Sequence, residues 1–319
     1  MVVHEQGPPE ILSFEEVPQP EPGTGEALVR LDAIGVNYID LNQRSGAYPA
    51  TVPFIPGSEG AGVVAEVGPG VTEVSVGDRV TYATVPRAYA QYAVVPAHRL
   101  IPIPDGVSTE QAAAVTLQGM TAHYLVNSVC PLEDGDWCLV HAAAGGVGLL
   151  LTQLCKRHGL RIIATASTAE KAERASAAGA DHVVIYTQDD FTDAVADLTE
   201  GRGVRAAFDA VGKTTFDGSL RSTGRLGYMV LFGEASGPAD PFDPRRLRQE
   251  GSIFITRPGL VDYISTREEL MWRGNEVLGL VGSGELDVHI HASFPLEKAA
   301  EAHRALEGRG TMGKLILVP

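Results

Sequence analysis

A glycine-rich hexapeptide near the middle of the chain, Ala143-Ala144-Gly145-Gly146-Val147-Gly148, has the composition of a turn that binds phosphate. It follows the apolar segment Trp137–His141, which predicts a strand, and opens the segment 146–158, which suits a helix. There, Gly145 lets the backbone approach a pyrophosphate, Gly148 permits tight helix–strand packing, and the helix N-terminus offers free N–H groups. The pattern matches the dinucleotide-binding fingerprint with Ala in the first glycine place, and the alternative is a turn without a ligand.

The residues after the next predicted strand bear on which dinucleotide is bound. NAD sites usually carry Asp or Glu at this place to hold the ribose 2′-hydroxyl. Here the strand Arg161–Thr165 is followed by Ala166 and Ser167. Ser167 can donate to a phosphate and Lys171 adds a mobile cation one helical turn later, a combination that favours the 2′-phosphate of NADP. In the alternative interpretation, Ser167 and Glu170 form a capping box and Lys171 is a solvated helix residue.

Two sequence textures predict the elements that position these residues. From Trp137 to Thr256, apolar strand-like segments alternate with helix-like segments of about 10–15 residues, which predicts crossover units and a parallel sheet. The first third has short strand-like segments between Gly and Pro turns, namely Ala27–Leu31, Gly62–Val67 and Tyr89–Val95. The chain ends with a predicted helix at Leu296–Leu306 and a strand at Lys314–Val318, which we expect to return to the first domain.

Charge and cysteine content narrow the class of protein. The chain has 319 residues with 25 Lys and Arg against 40 Asp and Glu, a formal net charge of −15. This charge argues against nucleic acid or an anionic membrane as the main partner. The three cysteines do not form the even set of a secreted disulfide framework, and no signal peptide is recognised, so a soluble cytoplasmic protein is expected.

Several longer segments resemble the zinc-independent, ζ-crystallin-like quinone oxidoreductases of the medium-chain dehydrogenase/reductase superfamily. The matching segments are Gly35–Asp40, Arg44–Pro49, Pro53–Gly62, Leu117–Tyr124, His141–Gly148, Phe208–Gly212, Thr256–Pro258 and Leu306–Pro319. The resemblance implies an α/β protein with a GroES-like, β-rich catalytic domain at residues 1–120 and 263–319. A Rossmann domain with a doubly wound parallel sheet is implied at residues 121–262. NADPH as the cofactor and a homodimer are also implied.

The fingerprint, the NADP argument and the resemblance together give a set of expected cofactor contacts. They are Asn37, Thr121, Ala144, Gly145, Gly146, Val147, Ser167, Lys171, Tyr186, Phe232, Gly233, Phe254, Thr256 and Arg309. By resemblance, Asn37 and Thr121 lie near the nicotinamide, and Lys171, Tyr186 and Arg309 surround the 2′-phosphate. Without the resemblance, Tyr186 is a strand-end aromatic residue and Arg309 a loop cation.

No metal site is expected. Zinc-dependent relatives carry Cys where Asn37 stands and His where Ser58 stands, and neither an amide nor a hydroxyl is a good zinc ligand. His289 and His291 alternate on a predicted strand and share a face, but no third ligand accompanies them. We therefore interpret both histidines as surface residues.

Without a metal, hydrogen bonds and positioning must activate the acceptor. Hydride transfer to a quinone places negative charge on oxygen, which Asn37, Tyr48 or Arg257 could stabilise. Tyr48 could instead be a packed loop residue and Arg257 a structural ion-pair partner. The sequence thus predicts an NADPH-dependent quinone oxidoreductase. The alternatives are a reductase of α,β-unsaturated carbonyl compounds and a non-catalytic, crystallin-like NADPH-binding protein.

Two departures from the family pattern affect the expected substrate pocket. Asn42 stands where relatives often carry an aromatic residue, and the loop Pro86–Tyr89 is short and lacks the usual glycine.

Overall fold

In the computed structural model, which describes residues 1–319, the chain passes from one folded unit into a second unit and then returns. Unit 1 comprises Met1–Met120 and Ile264–Pro319, and unit 2 comprises Thr121–Tyr263. The last residue of unit 2, Tyr263, stacks on Tyr124 with ring centroids 4.3 Å apart. Tyr263, which we expected in the first domain, therefore belongs to the second.

Unit 1 is built mainly from β-strands. Its elements before the crossing are β1 (Val2–Val3), β2 (Leu12–Ser13), β3 (Glu26–Val36), α1 (Tyr38–Ser45), β4 (Glu59–Val67), β5 (Arg79–Ala83), β6 (Tyr92–Pro96), β7 (Ile101–Pro102) and α2 (Thr109–Asn127), which continues into unit 2. Strand β3 runs five residues beyond the predicted Ala27–Leu31 at its carboxyl end, because β4 and β15 (Lys314–Val318) pair with that end.

The predicted strand Tyr89–Val95 is present as β6, but it begins at Tyr92 and not at Tyr89. Tyr89 lies in the loop before β6, where its N–H donates to Pro56 O at 2.9 Å and its side chain is fully buried. A buried aromatic residue next to a strand has the same local sequence signal as a strand residue.

Unit 2 contains six strands and six helices. They are β8 (Trp137–Val140), α3 (Gly146–Arg157), β9 (Arg161–Ala166), α4 (Ala169–Ala177), β10 (His182–Ile185), α5 (Phe191–Leu198), β11 (Val204–Asp209), α6 (Phe216–Ser222), β12 (Thr223–Leu231), α7 (Arg245–Gln249), β13 (Phe254–Thr256) and α8 (Leu260–Tyr263). The strands form one parallel sheet in the order β10-β9-β8-β11-β12-β13. The predicted doubly wound sheet is confirmed.

The order of these strands locates a binding edge. The chain first moves outward from β8 to β10, then returns past β8 to β11 and continues in the other direction. In open parallel sheets, ligands bind outside the carboxyl ends of the strands where this direction changes. That place is between β8 and β11.

The final elements complete unit 1. They are α9 (Arg267–Gly282), β14 (Ile290–Pro295), α10 (Ala299–Glu307) and β15 (Lys314–Val318). The seven-stranded sheet has the order β14-β15-β3-β4-β5-β7, with β6 also paired to β3. The predicted helix Leu296–Leu306 begins as a 3-10 turn and becomes α-helical only at Ala299. Each helix is either too short or too polar to span a lipid bilayer.

Candidate active site

The fingerprint turn joins the carboxyl end of β8 to the N-terminus of α3. Ala142 has a left-handed backbone conformation with φ 51°, and its carbonyl oxygen accepts a hydrogen bond from Gly145 N at 2.9 Å. A Cβ atom at Gly148 would lie 2.3 Å from Ala142 O and 2.8 Å from Ala143 Cα. This close approach accounts for the glycine at position 148. The N–H groups of the first turn of α3 have no partners within the helix, and they lie at the binding edge.

A buried polar network lies beneath this turn. Ser219 Oγ donates to Asp209 Oδ2 at 2.7 Å and therefore accepts the hydrogen bond that joins it to His141 Nε2 at 2.9 Å. His141 Nδ1 is then the acceptor for Thr165 Oγ1, also at 2.9 Å. Burial lowers the pKa of His141, so the ring is a neutral connector between β8, β9 and α6 and not a base.

Asp209 fixes the loop that follows β11. Its Oδ1 accepts from Val211 N at 2.8 Å, from Gly212 N at 3.0 Å and from Thr215 Oγ1 at 2.8 Å. Its backbone oxygen also accepts from Phe232 N at 2.9 Å. Asp209 thus fixes the loop after β11 through its carboxylate and the residue after β12 through its backbone oxygen.

The carboxyl ends of β9 and β10 bring three of the predicted residues to one corner. Ser167 follows β9, Lys171 lies in the first turn of α4, and Tyr186 follows β10, which pairs with β9 through Ile185 and Ala166. Tyr186 is 51% exposed, and Lys171 is partly buried, which lowers the pKa of its ammonium group.

The alternative interpretation, in which a capping box starts at Ser167, is wrong. Thr168 is the N-cap of α4, and its Oγ1 accepts the hydrogen bond from Lys171 N at 3.3 Å. The Ser167 hydroxyl is therefore not used to cap the helix. Because β9 ends at Ala166, no carboxylate stands in the position that would hold a ribose 2′-hydroxyl.

Phe232 and Gly233 follow β12, and Thr256 ends the neighbouring strand β13. A Cβ atom at Gly233 would lie 2.6 Å from Ala210 O, so the chain passes this point without a side chain. Phe254 pairs with Tyr228, away from the carboxyl edge, and its half-exposed ring stacks on Tyr228 at 4.8 Å. The structure thus separates Phe254 from the other predicted residues of this region.

Arg257 forms an ion pair, as its alternative interpretation predicted, with a partner that the sequence did not identify. Its Nη2 lies 3.0 Å from Oε1 of Glu234, in the loop after β12. The guanidinium group is 45% exposed, so it keeps donors beyond those facing the carboxylate.

In unit 1, Asn37 lies in a buried cluster with Glu59 and Lys314. Lys314 Nζ donates to Asn37 Oδ1 at 2.7 Å and to Glu59 Oε2 at 2.6 Å, and Asn37 Nδ2 donates to Glu59 Oε2 at 2.9 Å. Glu59 Oε1 accepts from Leu117 N at 2.5 Å. The exposed fractions are 4% for Asn37, 0% for Glu59 and 2% for Lys314.

Sequence reasoning missed Glu59 and Lys314. The signal for Lys314 was available, because a single lysine opens the otherwise apolar strand Lys314–Val318. Glu59 stands among glycines in the segment Gly57–Gly62, which gave no indication that it is buried. Gly35 leaves room for the carboxylate, since a Cβ atom there would lie 2.2 Å from Glu59 Oε2.

A second buried network begins at Asp40, on the first turn of α1. Asp40 Oδ2 accepts from Asn37 N at 2.9 Å and from Tyr89 OH at 3.3 Å. Tyr89 OH also contacts His303 Nε2 at 3.0 Å. Burial raises the pKa of Asp40 to about 7 and lowers the pKa of His303 to about 3.

The remaining predicted residues lie on α2 and in the segments that follow α1 and α10. Tyr48 is partly buried after α1 and donates its N–H to Asn42 O at 2.9 Å. Arg309 follows α10 in unit 1 with a left-handed φ of 53°, whereas Lys171 and Tyr186 belong to unit 2. Thr121 is a buried residue of α2.

Two family models match the chain. One, described as the alcohol dehydrogenase GroES-like domain, matches residues 23–105, and the other, described as zinc-binding dehydrogenase, matches residues 146–269. The expected GroES-like and Rossmann domains are confirmed.

Known proteins resemble this chain over its full length. A quinone oxidoreductase of Pseudomonas aeruginosa is 43% identical over 317 residues, with 98% of this chain and 97% of that protein covered. A 2-haloacrylate reductase of Burkholderia sp. is 39% identical over 326 residues, with 100% and 98% covered. The solved structure of mycobacterial Rv1454c in complex with NADPH is 48% identical, with a TM-score of 0.97 and 100% and 99% of the two chains covered.

The residues of this chain do not fit the zinc ion named in the second family model. The polar atoms of Asn37 are bound to Glu59 and Lys314, and an ammonium group at 2.7 Å from Asn37 Oδ1 repels a metal cation. Ser58 Oγ donates to Asp40. No group of three His, Cys, Asp or Glu side chains in the chain could hold a metal ion.

Proposed function

The chain belongs to the quinone oxidoreductase family of the medium-chain dehydrogenase/reductase superfamily, and on this premise we propose that it is an enzyme that reduces quinones with NADPH. The observation that carries the proposal is the phosphate-binding turn at the carboxyl end of β8, combined with a β9 that ends without an acidic residue. When bound, NADPH supplies the hydride.

The residues of unit 2 fit an NADPH molecule at the binding edge. The N–H groups of Gly146 and Val147 in the first turn of α3 hold the pyrophosphate, beside Ala144 and Gly145. Ser167, Lys171 and Tyr186 bind the adenosine 2′-phosphate, to which the hydroxyl groups donate and the ammonium adds charge. We assign Thr121, Phe232, Gly233 and Thr256 to the nicotinamide half, and Arg309 to the 2′-phosphate.

The acceptor is activated by hydrogen-bond donors of the protein and not by a metal. The Tyr48 hydroxyl and the exposed N–H groups of Arg257 are free to donate to a quinone oxygen as it gains negative charge. Asn37 lies at the nicotinamide end, and its amide is held by Glu59 and Lys314. Glu234 orients Arg257 through their ion pair.

The relationship to a 2-haloacrylate reductase favours a second candidate function. A haloacrylate is an alkene conjugated to a carboxylate, and its reduction requires the same placement of a hydride donor beside a conjugated acceptor. The second candidate is therefore a reductase of α,β-unsaturated carbonyl compounds.

The test is the rate of NADPH oxidation with 1,2-quinones, 1,4-quinones and 2-alkenals measured in parallel. We expect the quinones to give the highest kcat/KM. A higher kcat/KM with the alkenals would favour the second candidate. Tight NADPH binding without oxidation by any acceptor would support the crystallin-like alternative.

We also propose a cytoplasmic homodimer. Strand β13 is the edge of the six-stranded sheet, and the exposed ring of Phe254 lies on it. An unpaired edge with an exposed aromatic residue suits pairing with a second copy of the chain. The three cysteines of the chain form no disulfide, as is usual for proteins of a reducing compartment such as the cytoplasm. Sedimentation velocity of the parent and of Phe254→Lys tests the dimer, and an unchanged oligomeric state in the variant would contradict this edge.

A further inference from the structure

The cluster of Asn37, Glu59 and Lys314 is assembled by three adjacent strands of unit 1. Strand β15 pairs antiparallel with β3 through Leu315 and Val36, so Lys314 lies opposite Asn37 one position further. Strand β4 pairs with β3 through Gly60 and Ile34, which places Glu59 at the same end. The three side chains are remote in sequence and adjacent only in the sheet.

The charges of Glu59 and Lys314 determine which way the Asn37 amide faces. An ammonium group only donates hydrogen bonds, so its partner at 2.7 Å must be the amide oxygen. A carboxylate only accepts, so its partner at 2.9 Å must be the amide nitrogen. The opposite orientation would set the amide N–H groups against the ammonium and the amide oxygen against the carboxylate.

The second N–H of this amide is held much less tightly. Its nearest acceptor is Gly35 O at 3.4 Å, a long contact for a hydrogen bond. The Asn37 amide is thus fixed at its oxygen and at one N–H, while the other N–H keeps a weak partner.

We propose that Lys314 and Glu59 are positioning residues, which hold the Asn37 amide in the single orientation that the nicotinamide end of the site requires. The inference rests on the proposed function, since it depends on the place of Asn37 in the site. Lys314 also neutralises the buried Glu59 carboxylate, so the pair acts on stability as well as on orientation.

The test separates the effect on stability from the effect on the orientation of Asn37 by replacing both charged residues with neutral ones. We compare Lys314→Met, Glu59→Gln and the double variant by melting temperature, by the Kd of NADPH, and by kcat and KM with 1,4-naphthoquinone. Each single variant leaves a buried charge unpaired, so we expect its Tm to fall by about 10 °C. The double variant leaves neither charge of this pair buried, and we expect it to recover most of the loss in Tm.

Activity should not return with stability. Neither a methionine nor a glutamine amide dictates which way Asn37 faces, so we expect kcat of the double variant to stay about tenfold or more below the parent. Recovery of kcat together with Tm would show that the pair is only structural and would overturn the proposal. Lys298→Met removes an exposed pair with Glu301 and serves as the control, with kcat and Tm unchanged.

Asn37→Ala distinguishes a failure of this inference from a failure of the proposed function. When Lys314→Met is added to Asn37→Ala, Tm should fall but kcat should stay at the value of Asn37→Ala alone, because the residue through which Lys314 acts is absent. An equal loss of kcat with and without Asn37 would overturn the positioning role. If Asn37→Ala alone leaves kcat at the parent value, the proposed place of Asn37 is wrong and the inference falls with it.

Discussion

The hydroxyl group of Ser58 donates a hydrogen bond to Oδ1 of Asp40 over 3.0 Å in the interior of unit 1. Asp40 in turn accepts from Asn37 N. The two residues that stand in the places of zinc ligands are therefore joined through one buried carboxyl group. That arrangement gives each of them a protein partner in place of a metal ion.

The first prediction is that the active protein contains no stoichiometric zinc and that chelators leave its activity unchanged. The partners of Asn37 and Ser58 are already protein groups, and the ammonium of Lys314 lies beside Asn37. Elemental analysis of the purified protein and NADPH oxidation before and after EDTA dialysis check this. Stoichiometric zinc whose removal abolishes turnover would contradict it.

The second prediction is that Gly146→Asp weakens the binding of both NADPH and NADH. Gly146 begins α3, and a carboxylate there would meet the pyrophosphate that both cofactors share. Titration of each cofactor by fluorescence measures the effect. The control is Gly279→Asp, which adds a carboxylate to α9 where nothing lies within 4 Å of the new Cβ atom. A folded Gly146→Asp protein with the Kd values of the parent would show that the turn does not hold the pyrophosphate.

The third prediction is that Lys171→Ala weakens NADPH binding selectively. A hydrogen bond to a charged group contributes about 1.5–3 kcal/mol, which corresponds to roughly 10- to 150-fold in Kd. Because Lys171 is only partly buried, we expect the lower end of this range and a smaller effect at high salt. NADH lacks the 2′-phosphate, so its Kd should hardly change.

The measurement is titration of NADPH and NADH into parent and variant at low and high ionic strength. Arg174→Ala, in the next turn of α4, is the matched control and should not discriminate between the cofactors. Equal losses for both cofactors in Lys171→Ala, or none, would place the specificity elsewhere.

The fourth prediction concerns pH and Asp40. Burial raises its pKa to about 7 in the folded protein, from an ordinary value of 3.8. Between about pH 4 and 7 the folded state therefore keeps a proton that the unfolded state has released, and stability falls as pH rises across this range. The slope is about 1.4 kcal/mol per pH unit while Asp40 stays protonated in the folded protein, and it disappears above pH 7. Asp40→Asn has no proton to lose and should remove this slope.

Urea unfolding of the parent and of Asp40→Asn between about pH 5 and 7 measures the difference. His303, whose folded pKa is lowered to about 3, contributes a slope of opposite sign below pH 6.5, and it does so in both proteins. The N-terminal amine of Met1, whose pKa burial lowers, contributes a slope of opposite sign, but it cancels in the comparison. Parallel pH profiles for the two proteins would contradict the prediction.

Local sequence was sufficient to predict the parts of the site that are built from residues close together along the chain. The fingerprint turn, the helix after it and the acid-free end of β9 lie within Trp137–Lys171, and the structure places them as consecutive elements. The glycine pattern predicted the role of Gly148, and the structure gives the reason, since a Cβ atom there would lie 2.3 Å from a carbonyl oxygen. The capping residue of α4 was misassigned by one position, since Ser167 and Thr168 offer the same hydroxyl chemistry.

The sequence by itself determined the class of fold and the phosphate-binding turn, because each follows from residue types at short spacing. Only the tertiary structure decided what surrounds Asn37. Glu59 and Lys314 reach it through the pairing of β4 and β15 with β3, across 22 and 277 residues of sequence. Pairing over such distances is specified by packing of the whole sheet, and no local pattern encodes it.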